Sequence, residues 1–197
     1  MLFRSIRRHF AEYAFCQPGT KFTAMAKLWE RYSSLFLQYD HVMLLDDDIL
    51  VDNVTINEAF DLVEKHQLDL AQLALSEDSH CIWQLFKTSG DEDIRFTNGV
   101  EIMMPILSRK AMMRAGPLFK KSVSGFGLDF LWGKLIAHET RRNIGILNRL
   151  VAQHADPVDE REGAYYAYLR SRNINPKAEL WRLVETRGLE RTFCECS

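Results

Sequence analysis

No apolar run in the chain approaches the roughly 20 residues a helix needs to cross a bilayer. Residues 1–10 interleave Arg4, Arg7 and Arg8 with hydrophobes in place of the apolar stretch of a secretory signal. A cytoplasmic location is expected. Cysteine is scarce: Cys16, Cys81, Cys194 and Cys196 are the only four in 197 residues, too few and too uneven for a disulfide framework, which fits a reducing compartment. Cys194 and Cys196 form a C-x-C pair with no second pair nearby to complete a metal site. Charge of one sign is also lacking. A formal net charge of -2 creates no long-range field to gather nucleic acid, and no nucleic-acid partner is expected. Repeats, low-complexity tracts and linkers are missing, so nothing marks a domain boundary. What is present, 47% hydrophobic and 26% charged residues, predicts one packed domain over 1–197, with a basic segment over 1–20 and a helical tail over 158–197.

Between positions 20 and 39, Phe22, Met25, Trp29, Tyr32 and Phe36 recur at three- and four-residue steps, which predicts an amphipathic helix with one buried stripe. Residues 41–45 are a short apolar run ended by acids, the pattern of a central parallel strand whose carboxyl end opens into a crevice. Residues 55–66 predict a helix with Thr55 as N-cap and Glu58 closing a capping box. Further strands are predicted over 12–16, 69–75, 81–86, 100–107 and 143–147. Further helices are predicted over 1–10, over 108–115 with Ser108 as cap, over 128–137 entered through Gly125 and Gly127, and over 160–172 and 177–187 on either side of Asn175-Pro176. This alternation predicts a three-layer α/β domain.

The chemistry centres on Asp46-Asp47-Asp48. In an extended segment alternate side chains share a face, so Asp46 and Asp48 are expected on one side and Asp47 on the other. Carboxylates this close raise each other's pKa unless a cation intervenes. Oxygen ligands of this kind suit Mg²⁺ or Mn²⁺, with coordination positions left for phosphate. The alternative is a solvated acidic turn in which Asp48 or Asp52 caps a helix. The same segment resembles the nucleophile motif of haloacid-dehalogenase-like phosphatases, with Asp46 as the phosphorylated residue. Leu50 stands where that motif carries a small hydroxyl residue or valine, and 143–147 leads to Asn148 in place of a paired-acid motif.

Further motifs follow in order: Gln72-Leu73-Ala74-Leu75, then Arg95-Phe96-Thr97-Asn98-Gly99-Val100-Glu101-Ile102-Met103-Met104-Pro105, then Gly125-Phe126-Gly127-Leu128-Asp129, then His154. Together with 41–49 they resemble, from about Lys21 to about Pro157, a family filed as a domain of unknown function. Its plant members carry the label "lysine-ketoglutarate reductase trans-splicing related", and its pattern looks like a GT-A glycosyltransferase. The resemblance implies a GT-A-like α/β/α sandwich with a mostly parallel central sheet. It implies transfer of a sugar from a nucleotide-sugar donor to an unknown glycan or small-molecule acceptor, with inversion favoured. Under it Asp46, Asp48 and His154 hold Mn²⁺ or Mg²⁺, and Asp129 is the general base toward the acceptor hydroxyl. Asp46, Asp47, Asn98 and Glu101 contact the donor, and Ser79-His80 lies near the same crevice. Trp83, Phe130 and Trp132 are candidates for sugar stacking or for plain core.

The chain departs from the family pattern at three places. His154-Ala155-Asp156-Pro157 stands for His-Thr-Arg-Pro, an amide at Asn148 stands for an acid, and Phe126 stands for Trp. Only 45 residues precede Asp46, so the nucleoside-binding part of the fold is expected to be shortened. The chain is then truncated or completed by a partner. That leaves room for a non-catalytic glycan- or protein-binding relic, and for self-association through apolar surface left by a missing strand.

Overall fold

The computed structural model describes residues 12–139, 142–157 and 159–196; the helix expected over 1–10 lies outside them. Helix α1 (Lys21–Phe36) starts where Thr20 accepts the amide of Thr23, and its apolar stripe puts Phe22, Met25, Trp29 and Phe36 into the interior. Tyr32 breaks the expected stripe: it leaves helical geometry, is 42% exposed and packs on Phe15 at 5.1 Å. Strand β1 (His41–Met43) and a two-residue strand β2 (Ile49–Leu50) flank the acidic triplet. Helix α2 (Asn53–Lys65) is capped by Asp52, whose Oδ1 accepts the Thr55 amide at 2.8 Å, so the predicted cap at Thr55 moves three residues back. Strand β3 (Leu70–Leu75) is wholly buried.

Residues 81–86 do not form the expected strand but a loop ending in a 3₁₀ turn, Gln84–Phe86. Of the run 100–107 only the end is extended, as β5 (Ile106–Ser108), and β4 (Ile94–Phe96) lies before it. Ser108 caps α3 (Arg109–Ala115), which passes into the 3₁₀ turn Gly116–Lys121. Helix α4 (Leu128–Ile136) is followed by the long β6 (Ile144–His154), then α5 (Ala164–Ser171) and α6 (Pro176–Arg187). The expected strand at 12–16 is not formed.

The sheet order is β1-β5-β3-β6-β2, with β4 also on β6. The sheet is mixed, not mostly parallel: β3 and β6 are parallel, whereas β1/β5, β3/β5, β4/β6 and β2/β6 are antiparallel. The cause is the connection from β3 to β5. A parallel return needs a crossover, usually a helix, and residues 76–105 hold no α-helix, so β5 begins at the edge where β3 ends. Helices cover both faces. Leu70, Leu107 and Ile144 face α1, α3, α4 and α6, while Ala71, Leu73, Ile106 and Ile146 face α2, Phe86 and Phe193. Trp132 is fully buried among Phe22 and Phe119, which makes it core and not a sugar platform. No described helix is long and apolar enough to cross a membrane.

Two features fix the edge that matters. The ends of β1, β3 and β6 meet the start of β5 there, which gathers residues 44–48, 76–81, 101–105 and 154. The β3/β6 register also jumps from Leu73↔Leu147 to Ala74↔Val151, so Asn148, Arg149 and Leu150 bulge out of β6. Asn148 fills the bulge, accepting from Arg95 Nε (3.0 Å) and the Ser89 amide (3.1 Å) and donating to the carbonyls of Ser89 (2.8 Å) and Glu92 (3.0 Å). Only an amide can both donate and accept in this way. Its departure from the expected acid is therefore structural.

Gly133 of α4 lies against the 98–99 backbone, and a Cβ there would stand 2.2 Å from the Asn98 carbonyl oxygen. Gly133→Ala is expected to cost about 2 kcal/mol or more, since that backbone has no room to yield. Urea unfolding of the two proteins measures the difference.

Candidate active site

The triplet divides as alternation predicts: Asp47 is exposed, and Asp46 and Asp48 turn inward. Each inward aspartate meets a different partner. Asp46 Oδ1 pairs with Lys21 Nζ at 2.8 Å, and the same ammonium donates to the carbonyls of Leu44 (2.7 Å), Ile102 (2.7 Å) and Met103 (2.9 Å). The Asp46 amide donates to the Met103 carbonyl at 2.9 Å, extending the β1/β5 ladder past β1. Burial pushes the Lys21 pKa down against the pull of Asp46. Burial likewise pushes Asp46 up, opposed by Lys21 and reinforced by Asp48 and Asp47. Lys21 was not singled out by the sequence. A cation in the first turn of a helix, where the macrodipole disfavours it, is the signal that could have found it.

Asp48 faces His154 at the end of β6, with Oδ2 3.1 Å from Nε2. The His154 ring is held from behind by the His80 carbonyl, 2.5 Å from Nδ1, and its backbone amide donates to Ser79 Oγ at 3.1 Å. A carbonyl can only accept, so Nδ1 carries the hydrogen. Nε2 then either donates to Asp48 Oδ2 or, carrying no hydrogen, faces it as a second acceptor. Two acceptors at 3.1 Å repel unless a proton or a metal cation lies between or beside them. Asp48 Oδ1, moreover, is buried with no hydrogen-bond partner. An orphaned carboxylate oxygen beside an imidazole, with Asp46 behind it, fits a divalent cation that accepts N and O ligands. No cluster of three or more acidic, His or Cys side chains able to hold a metal ion stands among the described residues; such a site would start from Asp48 and His154, with Asp46 engaged by Lys21 through Oδ1.

Asp129 belongs to a second acidic group. Gly127, in the left-handed region at φ +87°, turns the chain into α4, and Asp129 Oδ1 accepts the Phe130 amide at 2.9 Å. Glu179 of α6 grips the preceding loop by accepting the amides of Val123 (3.0 Å) and Ser124 (2.8 Å). Tyr165 donates to the Ser124 carbonyl at 2.6 Å, and its phenol pKa is raised by burial first, with Tyr166, Glu179 and Asp46 adding to it. Burial pushes Asp129 up to about 7. Glu101 is pushed up to about 8 by burial and by Asp129; its Oε1 lies 3.6 Å from Cys81 Sγ, and its Oε2 is buried without a partner. The Cys81 thiol, pushed up to about 12 by burial and by Glu101, stays protonated.

Two short stretches join the groups. Ile102 and Met103, which hold Lys21, directly follow Glu101, and Ser79-His80-Cys81 runs from His154 to Glu101. Asn98 stands apart from both. Its Nδ2 donates to Glu190 (2.7 Å) and to the Thr192 carbonyl (3.0 Å), and its Oδ1 accepts the Cys194 amide (2.9 Å), so it clasps the C-terminal tail. Two cavities, about 360 and 230 Å³, are lined by His41, Asp69 and His138 at the opposite sheet edge and by Asn98, Lys134 and Glu190 beside the tail. Neither includes Asp46, Asp47, Asp48 or Asp129. No family model, curated protein or solved structure matches this chain.

Removing the Lys21 ammonium leaves the Asp46 carboxylate and the carbonyls of Leu44 and Ile102 without their donor. Lys21→Met is expected to destabilise by about 3–5 kcal/mol in chemical denaturation. For the second group the linkage runs the other way. Raised carboxyl pKa values stabilise the fold fully below the unfolded values of about 4 to 4.5, and this is lost as pH rises through about 7 and 8. Glu101→Gln should therefore raise the melting temperature relative to wild type at pH 9 and have little such effect at pH 4.

Proposed function

We propose that the chain is a divalent-cation-dependent glycosyltransferase acting on a nucleotide-sugar donor, with Asp48 and His154 as the primary cation ligands and Asp46 as the third. The observation that carries this reading is the His154–Asp48 contact, with Nε2 3.1 Å from Oδ2, Nδ1 on the His80 carbonyl, and Asp48 Oδ1 buried without a hydrogen-bond partner. The imidazole ligand favours Mn²⁺ over Mg²⁺. Bound there, the cation would neutralise charge on the departing diphosphate. Asp47, exposed beside the two inward carboxylates, would meet the solvent side of the donor.

The chain's own residues supply the rest. Asp129, poised near neutrality by its enclosure, accepts the proton of an acceptor hydroxyl. That oxygen bonds to the anomeric carbon as the bond from this carbon to the diphosphate breaks, and the electron pair leaves with the diphosphate. Attack assisted by a base on the acceptor side inverts the configuration. Lys21 holds the floor of the site through Asp46 and has no donor to spare for phosphate, since its ammonium already meets four acceptors. Asn98, committed to the tail, has no part in the site.

A thermal-shift series with Mn²⁺, alone and with UDP or GDP and their sugars, tests the reading. Saturating ligand should raise the melting temperature by about 5 °C or more, from the roughly 3 kcal/mol that binding at a hundred times Kd adds. Asp48→Asn and His154→Ala should abolish the shift, and Asp129→Asn should keep it while losing transfer. Hydrolysis of simple phosphate esters with a phosphoaspartate at Asp46 would replace this reading with the phosphatase. Absence of any cation or nucleotide response would leave the relic.

A further inference from the structure

The segment after α6 serves neither acidic group of the candidate site. Leaving α6 the chain reverses at Gly188, in the left-handed region at φ +57°, where Lys134 Nζ donates to the carbonyls of Arg187 (2.7 Å) and Gly188 (3.0 Å). Residues 193–196 then lie along β4. The Asn98 amide donates to the Cys194 carbonyl at 3.2 Å, Thr97 and Glu195 form an antiparallel bridge, and the Cys196 amide donates to the Phe96 carbonyl at 2.8 Å. Two side chains anchor the segment. Phe193 stacks on Phe130 with ring centroids 4.4 Å apart, meets Phe86 (4.9 Å) and Trp83 (5.3 Å) edge-on, and covers Gly99, where a Cβ would stand 2.7 Å from its ring. Glu195 pairs with Arg95 Nη1 at 2.7 Å.

This groove needs an occupant. The Arg95 guanidinium is 8% exposed, and its other partners, the Asn148 side-chain oxygen and the Lys87 carbonyl, are neutral, so Glu195 supplies its counter-charge among the described residues. An enclosed cation stripped of its carboxylate is strongly destabilising. A bare β4 edge would add unpaired backbone groups. The occupant must bring an extended backbone, an aromatic ring, and a carboxylate two residues later, which in a strand points to the same side as the ring. Phe193 and Glu195 meet that requirement. The link that delivers them is short. Glu190, Arg191 and Thr192, all exposed, separate the buried Leu189 from the buried Phe193, and Asn98 Nδ2 pins two of them by donating to Glu190 (2.7 Å) and to the Thr192 carbonyl (3.0 Å). A short link that opens carries its strand away from its own groove, and the same strand on a second copy is the occupant the structure already shows to fit.

We propose that this groove is an interface between two copies of the chain, in which residues 193–196 of each copy pair with the other's β4, Phe193 filling the other's aromatic slot and Glu195 meeting the other's Arg95. The exchange is reciprocal. Each bond released within a copy is remade across the pair, so the contacts cancel, and the balance lies between the opened links and the lost freedom of two separate molecules. Closure within one chain competes at an effective concentration on the order of millimolar for a short flexible link, and the dimer should grow as the chain approaches that range. Because Phe193 stacks on Phe130, next to Asp129, each copy then contributes a ring to the wall beside the other's Asp129. The pairing depends on neither a cation nor a sugar donor.

Sedimentation velocity on the full chain, without metal or nucleotide, tests this. Wild type should pass from monomer toward dimer as its concentration rises from about 10 µM to about 1 mM. Two variants separate slot from ring: Gly99→Ala blocks the slot and keeps the ring, and Phe193→Ala keeps the slot and removes the ring. Neither homodimer contains a matched slot and ring, whereas a mixed dimer contains one such match, so the equimolar mixture should dimerise at a concentration about tenfold or more below either variant alone. If a variant does not fold, a synthetic peptide of residues 189–197 carrying Cys194→Ser and Cys196→Ser decides on wild type. It should convert dimer to monomer, and the same peptide with Phe193→Ala should not. A wild type that stays monomeric, a mixture no more dimeric than its components, or a dimer indifferent to the peptide overturns the proposal. With cation and nucleotide left out of every arm, these outcomes are separable from failure of the transferase reading.

Discussion

The edge of this fold is built around one ammonium group. Lys21 projects from the first turn of α1 into the place where β1 has ended and the chain before β5 has not yet become a strand, and there it gathers three carbonyl oxygens and Asp46. The Met103 carbonyl also accepts the Asp46 amide, while those of Leu44 and Ile102 lie where backbone acceptors would otherwise lack a donor. Burying an ammonium is costly by itself, and four acceptors offset the cost. Its consequences are geometric. It ties the helix on one face of the sheet to the acidic turn and to the stretch carrying Glu101, so the position of either carboxylate group depends on the same charge.

Around that anchor the acids fall into two environments. Asp46 is balanced by a fixed cation, and Asp48 faces an imidazole whose other nitrogen is committed to the His80 carbonyl. The other half, Glu101 and Asp129, has no cation and is held neutral or singly charged by enclosure. The two halves lie along a single edge, bridged by Ser79-His80-Cys81 and by 101–103.

Much of this was legible in the sequence. The apolar run before Asp46 placed the triplet at a strand end, although β1 is an edge strand antiparallel to β5 and not the central parallel strand expected, and two-residue alternation correctly turned Asp47 outward. Ser79, His80 and His154 were singled out and do come together. Long-range commitments were not legible. The amide of Asn98 was free to be read as sugar-binding because nothing local announces that the chain will return at 192–194 to claim it. Lys21 is separated by more than eighty residues from Ile102 and Met103, and periodicity carries no information on such a pairing. The sheet's mixed character was missed for a related reason. An apolar strand reads the same in either direction, and only the absence of a helix between β3 and β5 sets its sense.

The bulge at Asn148 divides β6 into two short ladders that do not share a register. The first, 144–147, is tied to β4 and the deep core; the second, 151–154, carries His154 and holds β2. A side chain packing differently in the first ladder is absorbed where the strand swells, and the shift is not handed on to the imidazole. The framework can thus drift under mutation while the end of β6 keeps its aim, and substitutions that retune the edge need not disturb the interior.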